Sequence, residues 1–151
     1  MTKSPKQAAY VERVLPSVSF YVAGLFLPFG LFLVSLPFSI ELGLIAAIGS
    51  YLAVVGVSYL LAPKIMLTDS LLHVDKASIA AVHLGQASVI ERKDQFLERG
   101  HKLSTLAYTR FQIGVKGLVK ITLQDEKDPT PYWLVATRHP EVLAGHLNAK
   151  R

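Results

Sequence analysis

The chain has 151 residues, a formal net charge of +5 and a composition that is 51% hydrophobic and 18% charged, more apolar than an ordinary soluble domain. It has no cysteine, which excludes a disulfide framework, a thiolate nucleophile and any cysteine-held zinc or iron–sulfur centre. The charge is unevenly placed, since from Val14 to Ala62 the only charged residue is Glu41.

Residues 1–16 read as a short basic segment carrying Lys3, Lys6 and Arg13. Residues 17–62 read as a transmembrane helical hairpin. The uncharged runs Ser17 to Ile40 and Leu42 to Ala62 reach about 36 and 32 Å as helices, against a hydrocarbon core of about 30 Å. The first run is too long for a signal-peptide core, and no small-residue cleavage site follows it, so it is expected to stay uncleaved. Lys and Arg flank the pair at Arg13 and Lys64, whereas the connection around Pro37 to Glu41 has neither. This bias predicts a two-pass plasma-membrane protein with both termini cytoplasmic. Tyr10, Phe20, Tyr21 and Tyr59 suit the membrane interfaces, and Glu41, lying between the spans, suits an interface better than a proton path.

Two features of the hairpin concern packing. Pro28 removes a backbone donor inside the first helix and predicts a kink. In the second helix Ala46, Gly49, Ala53 and Gly56 form a stripe of small residues that permits close helix packing. The stripe serves either the first helix of the same chain or a helix of another chain, by self-association or in a different membrane protein.

Residues 64–151 change period and read as a cytoplasmic β-rich domain. "KIMLTD" and "LLHVD" predict two strands joined by a Thr-Asp-Ser turn, "ASIAAVHL" a strand or irregular stretch, and "ASVIE" a further strand. "RKDQFLERGHKL" predicts a small helix stopped at Gly100. Phe111, Ile113 and Val115, then Val119, Ile121 and Leu123, alternate with polar residues and predict two strands with Gly114 and Gly117 at a turn or bulge. "QDEKDPTP" is a loop, "YWLVAT" a strand, and Pro140-Glu141 the start of a last helix with His139 or Thr137 near its cap. The fold class expected is an α+β membrane protein. A transmembrane hairpin carries a small antiparallel sheet or partly open barrel closed by a C-terminal helix, a pleckstrin-homology-like layout.

Tyr10-Val11-Glu12-Arg13 before the first span, the hairpin, the β-rich region, and Asp128-Pro129-Thr130-Pro131-Tyr132-Trp133-Leu134-Val135-Ala136-Thr137-Arg138 followed by Pro140-Glu141 together resemble a family of actinobacterial two-helix membrane proteins. That family is catalogued as a domain of unknown function. The resemblance spans nearly the whole chain. It implies an actinobacterial plasma-membrane setting and no reaction.

Chemistry is sparse. His73, His83, His101, His139 and His146 form no metal-binding spacing, no phosphate-loop or nucleophile-elbow pattern occurs, and Asp125, Glu126 and Asp128 read as a solvated loop. No metal, cofactor or nucleic-acid partner is expected. Arg92, Lys93, Arg99, Lys102, Arg110, Lys116 and Lys120 read as a solvated surface or as a face for anionic lipid headgroups. Trp133 reads first as a core or sheet-packing residue on its strand; if that strand carries a site, Tyr132, Trp133 and Arg138 are the candidate contacts for a partner or lipid. The function expected is a non-enzymatic, membrane-anchored interaction module or accessory subunit. The alternative is an enzyme or transporter component acting on a lipid-soluble substrate at the membrane face.

Overall fold

A computed structural model describes residues 8–125 and 128–149. Lys3, Lys6, Glu126, Lys127, Lys150 and Arg151 lie outside the described residues. The chain divides into two compact units, one made of the residues up to Val14 together with those from Pro63 onward, the other of Leu15–Ala62.

The Leu15–Ala62 unit holds two helices long and apolar enough to cross a membrane. The first is broken into α1 (Val18–Ala23) and α2 (Phe26–Ser35). The break at Gly24-Leu25 lies one turn before Pro28, where the pyrrolidine ring has no N–H for the Gly24 carbonyl and crowds it. The expected kink is therefore present, displaced by one turn from the proline that causes it. Helix α3 (Ile40–Leu60) starts at Ser39, whose Oγ accepts the Glu41 N–H at 3.1 Å, an N-cap that satisfies one orphan donor.

The face of α3 that meets the first helix differs from the expected stripe. A Cβ at Gly43 would lie 3.0 Å from Phe32 Cδ2, one at Gly24 would lie 3.6 Å from Val54, and Ser58 Oγ donates to Tyr21 Oη at 3.1 Å. Gly43, Val54 and Ser58 are spaced by whole turns. Gly49 is six residues past Gly43, hence about 120° around the helix. Gly49, Ala53 and Gly56 are exposed, Ala46 is half-buried, and a Cβ at Gly49 or Gly56 would meet nothing within 4 Å. The assignment of Ala46, Gly49, Ala53 and Gly56 to packing within the hairpin is thus corrected.

The other unit is α+β with two sheets. The N-terminal segment contains a strand, β1 (Tyr10–Arg13), which pairs antiparallel with β2 (Lys64–Leu67) from Tyr10↔Leu67 to Arg13↔Lys64. Beyond this pair the Val14 N–H donates to the Pro63 carbonyl at 2.9 Å. Strands β3 (Leu71–Val74) and β4 (Ala77–Ala80) complete a four-stranded antiparallel sheet in chain order. Four residues are too few for period-2 alternation to announce β1, and its partner lies across the whole hairpin.

The second sheet holds β5 (Leu84–Val89), β6 (Tyr108–Arg110), β7 (Gly117–Leu123) and β8 (Tyr132–Thr137) in the order β5-β7-β8-β6. Its pairs are antiparallel except β6–β8, which is parallel. Helix α4 (Gln95–Arg99) ends at Gly100, and α5 (Pro140–Asn148) closes the chain. The alternating stretch Phe111 to Val115 is a loop, with Gly114 at φ 71°. Its apolar residues do not share a face, because Val115 is buried while Ile113 is 62% exposed.

Strand β8 is buried along its whole length, which explains its unbroken apolar run. Trp133 and Val135 join the main core with Ile65, Leu72 and Val74 of the first sheet and Leu143 and Leu147 of α5. Tyr132 and Leu134 join a smaller cluster with Leu118.

Candidate functional site

The two motif segments, more than a hundred residues apart, meet at one buried carboxylate. Alternation along β1 turns Glu12 inward, where it is 8% exposed. Tyr10 Oη donates to Glu12 Oε2 at 2.6 Å and Thr137 Oγ1 donates to the same oxygen at 2.5 Å. The Arg138 N–H donates to Oε1 at 2.8 Å. Burying a carboxyl group is costly unless its oxygens are matched by donors, and here both are. The His139 N–H donates to Thr137 Oγ1 at 3.1 Å, so the hydroxyl that serves Glu12 also holds the residue preceding α5. His139, the N-cap of α5, makes no side-chain cap; Thr137 holds its backbone N–H.

The environment of Tyr10 follows from this arrangement. Burial, then the hydrogen bond to Glu12, pushes its hydroxyl up to about 12, and the Thr137 contact opposes them. A glycine makes the close approach possible. Gly117 pairs with Thr137, and a Cβ there would sit 2.2 Å from the Thr137 carbonyl oxygen and 3.0 Å from Pro140 Cδ. Gly117 is needed for contact, not for a turn.

The candidate contacts separate. Trp133 is 4% exposed and tilted against Tyr108 with centroids 4.8 Å apart, so it is a core residue and presents no face to a partner. Tyr132 is also buried. Its Oη accepts the Ser104 N–H at 2.8 Å and donates to the Lys102 carbonyl at 3.1 Å, while Lys120 Nζ stands 4.3 Å over its ring. Of the three, Arg138 alone is exposed, and it joins the Glu12 cluster through its backbone. Tyr132 is thus corrected from a contact to a packing residue, and Trp133 packs in the core instead of meeting a partner, because the strand that carries them is central in its sheet.

The basic face also divides. Arg110 Nε lies 3.1 Å from Asp75 Oδ2, Lys120 Nζ 2.9 Å from Glu98 Oε2, and Lys93 Nζ 2.8 Å from Glu91 Oε2. Arg99 sits over the Phe111 ring at 5.0 Å. These residues bind their own domain. Beside them, burial and the Asp75 charge raise the Tyr108 hydroxyl, whose Oη donates to the Val74 carbonyl. Among the described residues no group of three or more His, Asp or Glu is placed to hold a metal ion.

Glu12 was legible in the sequence only as part of a short motif next to a span. Alternation gave no usable signal, since apolar Val11 is 60% exposed and Glu12 is the buried residue. A family model described as "Protein of unknown function (DUF3093)" matches residues 9–147, a range that includes both segments joined at Glu12. No curated protein and no solved structure matches the chain.

Proposed function

The chain belongs to the DUF3093 family, and from that premise we propose that it is a membrane-anchored, non-catalytic interaction module. It would act as an accessory subunit at the cytoplasmic face of an actinobacterial plasma membrane. One observation carries the reading: β1 and β2, which flank the apolar pair, are neighbours in one sheet. Such pairing requires both ends of the hairpin on the same side of a bilayer. Three further points support it. Each helix has a mean hydropathy of 2.0 with only 6% of its window buried, whereas a core helix of a soluble protein would be mostly covered. Basic residues flank the pair and are missing from its connection, as cytoplasmic flanks require. The Glu12 oxygens are occupied by donors of the chain itself, which suits a structural clasp better than an acid–base group.

The first sheet, a β1-β2-β3-β4 meander, and the closing helix α5 support a pleckstrin-homology-like layout with the hairpin inserted after its first strand, while the second sheet, β5-β7-β8-β6 with β6 parallel to β8, departs from a simple meander. Such an analogy assigns no ligand. The exposed face of Gly49, Ala53 and Gly56 supports docking of another transmembrane helix, from a second copy or from a different protein.

Because the chain lacks cysteine, single-cysteine variants test the orientation directly. A membrane-impermeant maleimide should label Phe38→Cys in intact cells and Lys76→Cys only after permeabilisation. The reverse pattern would sink the topology. A photo-crosslinker at Ala53 should capture one discrete protein; lipid adducts alone would remove the accessory-subunit reading.

A further inference from the structure

We infer that the end of the β-rich unit from which the hairpin departs is itself a membrane contact. Ile113 enters the headgroup layer of an anionic bilayer, and Lys64 and Lys116, with Arg13 and Arg138, meet the lipid phosphates. The inference rests on the membrane anchoring proposed above and adds a second, peripheral attachment to it.

Ile113 is 62% exposed at the tip of the loop before β7. That loop is fixed at the hairpin's base. Gln112 Nε2 donates to the Val14 carbonyl at 2.9 Å, and Gln112 Oε1 accepts the Ile113 N–H at 3.2 Å. The basic residues gather at the same end. Arg13 pairs with Lys64 in the last register position of β1–β2. Arg138 is joined to Glu12 through its N–H. Lys116 precedes Gly117, the register partner of Thr137. Lys64, Lys116 and Arg138 are exposed and Arg13 half-buried. Of the nearby acids, Asp75, whose N–H donates to the Lys64 carbonyl at 2.8 Å, has its carboxylate on Arg110, Glu12 points inward and is fully engaged, and Glu141 lies in the first turn of α5.

Chain length brings this end to the membrane. From Val14 to the start of α1 at Val18 the chain extends at most about 14 Å, and from Leu60 to Lys64 no farther. The headgroup region takes about 5–8 Å on each side of the hydrocarbon core, and charges interact across about 8 Å at physiological salt. Too little chain remains to lift the basic cluster out of range. An apolar tip ringed by Lys and Arg has the composition of an interfacial binding surface.

The test uses the full chain reconstituted in vesicles, with one nitroxide label per variant at Ile113→Cys, Val82→Cys or Ile48→Cys. Val82 is 82% exposed at the opposite end of the second sheet and Ile48 is 60% exposed on α3. In phosphatidylcholine vesicles containing phosphatidylglycerol, the label at 113 should lose collisions with a water-soluble nickel chelate and gain collisions with oxygen relative to the label at 82. Phosphatidylcholine alone, or the added pair Lys64→Glu and Lys116→Glu, should return it to the aqueous value. If 113 matches 82 while 48 reports lipid, this contact is overturned and the anchoring stands. An aqueous value at 48 overturns the anchoring itself. Lipid-like values at 113 that ignore both lipid charge and the double substitution overturn the assignment of phosphate contacts.

Discussion

Glu12 gathers three donors, and its removal strips the acceptor from the fully buried Thr137 hydroxyl and from the Tyr10 hydroxyl and Arg138 N–H at the rim. A buried donor left unsatisfied costs about 1–3 kcal/mol. Glu12→Ala should therefore lower stability by about 2–4 kcal/mol, a large part of the about 5–15 kcal/mol a domain has. Glu12→Gln, which keeps the volume and one acceptor, should cost less. Thermal unfolding of the full chain in detergent checks the order, and equal melting of Glu12→Ala and wild type would refute the clasp. Tyr10 adds a pH dependence. Its hydroxyl titrates at about 12 in the fold, above the usual value of about 10. The folded state thus holds this proton more tightly than the unfolded state does. The stabilisation is complete below about pH 10, shrinks as the unfolded chain ionises, and is gone above about pH 12. Tyr10→Phe should lose less stability than wild type across that window, measured as the alkaline fall in melting temperature.

At the level of elements, β1 makes the domain discontinuous. A fragment of residues 64–151 lacks the edge strand, Glu12 and the Val14–Pro63 hydrogen bond. Joining Val14 to Pro63 by a short turn is geometrically simple, because hairpin loops of two to five residues close antiparallel strands. The joined domain without the hairpin should be water-soluble and melt cooperatively by circular dichroism, whereas the 64–151 fragment should melt lower or aggregate. Equal behaviour of the two would show that β1 is dispensable. Within the hairpin, Gly43 and Gly49 make opposite predictions. Gly43→Leu drives a side chain into Phe32, whereas Gly49→Leu extends into open space. The first should lower the melting temperature of the monomer in detergent. The second should leave it within about 0.5 kcal/mol of wild type, and any effect should appear in association. A Gly49→Leu monomer that melts like Gly43→Leu would return the small-residue stripe to the hairpin's own interface.

For the whole molecule, the pairing of β1 with β2 closes the ends of the apolar hairpin on each other, so the proposed membrane anchoring would couple insertion to folding. If the hairpin is membrane-anchored as proposed, the first sheet is completed only once both helices have crossed and brought Arg13 and Lys64 to one side. Arg at the centre of a span costs about 2.5–3.5 kcal/mol to insert. Ile48→Arg with Leu52→Arg, both on the exposed surface of α3, should hold the second span out of the bilayer and leave β1 and β2 on opposite sides. Limited proteolysis of membranes should then find the β-rich unit digested where wild type is resistant. A resistant core in this variant would mean that the fold forms without a completed hairpin.

Composition and period alone determined the two apolar runs, the kink-forming Pro28, strands β2, β3, β7 and β8, and the last helix opened by Pro140. Hydrophobic burial and proline geometry act locally and leave a readable pattern in the sequence. The segments around Glu12 and Thr137 were also marked there as motifs, without their purpose. Only the tertiary structure decided that these segments share a carboxylate, that Tyr132 is interior, that the Phe111–Val115 alternation is a loop, and which face of α3 is covered. Each of those depends on a partner far away in the chain. A four-residue strand, a glycine facing a carbonyl and the covered face of an all-apolar helix have no local signature, since what defines them is the surface they meet.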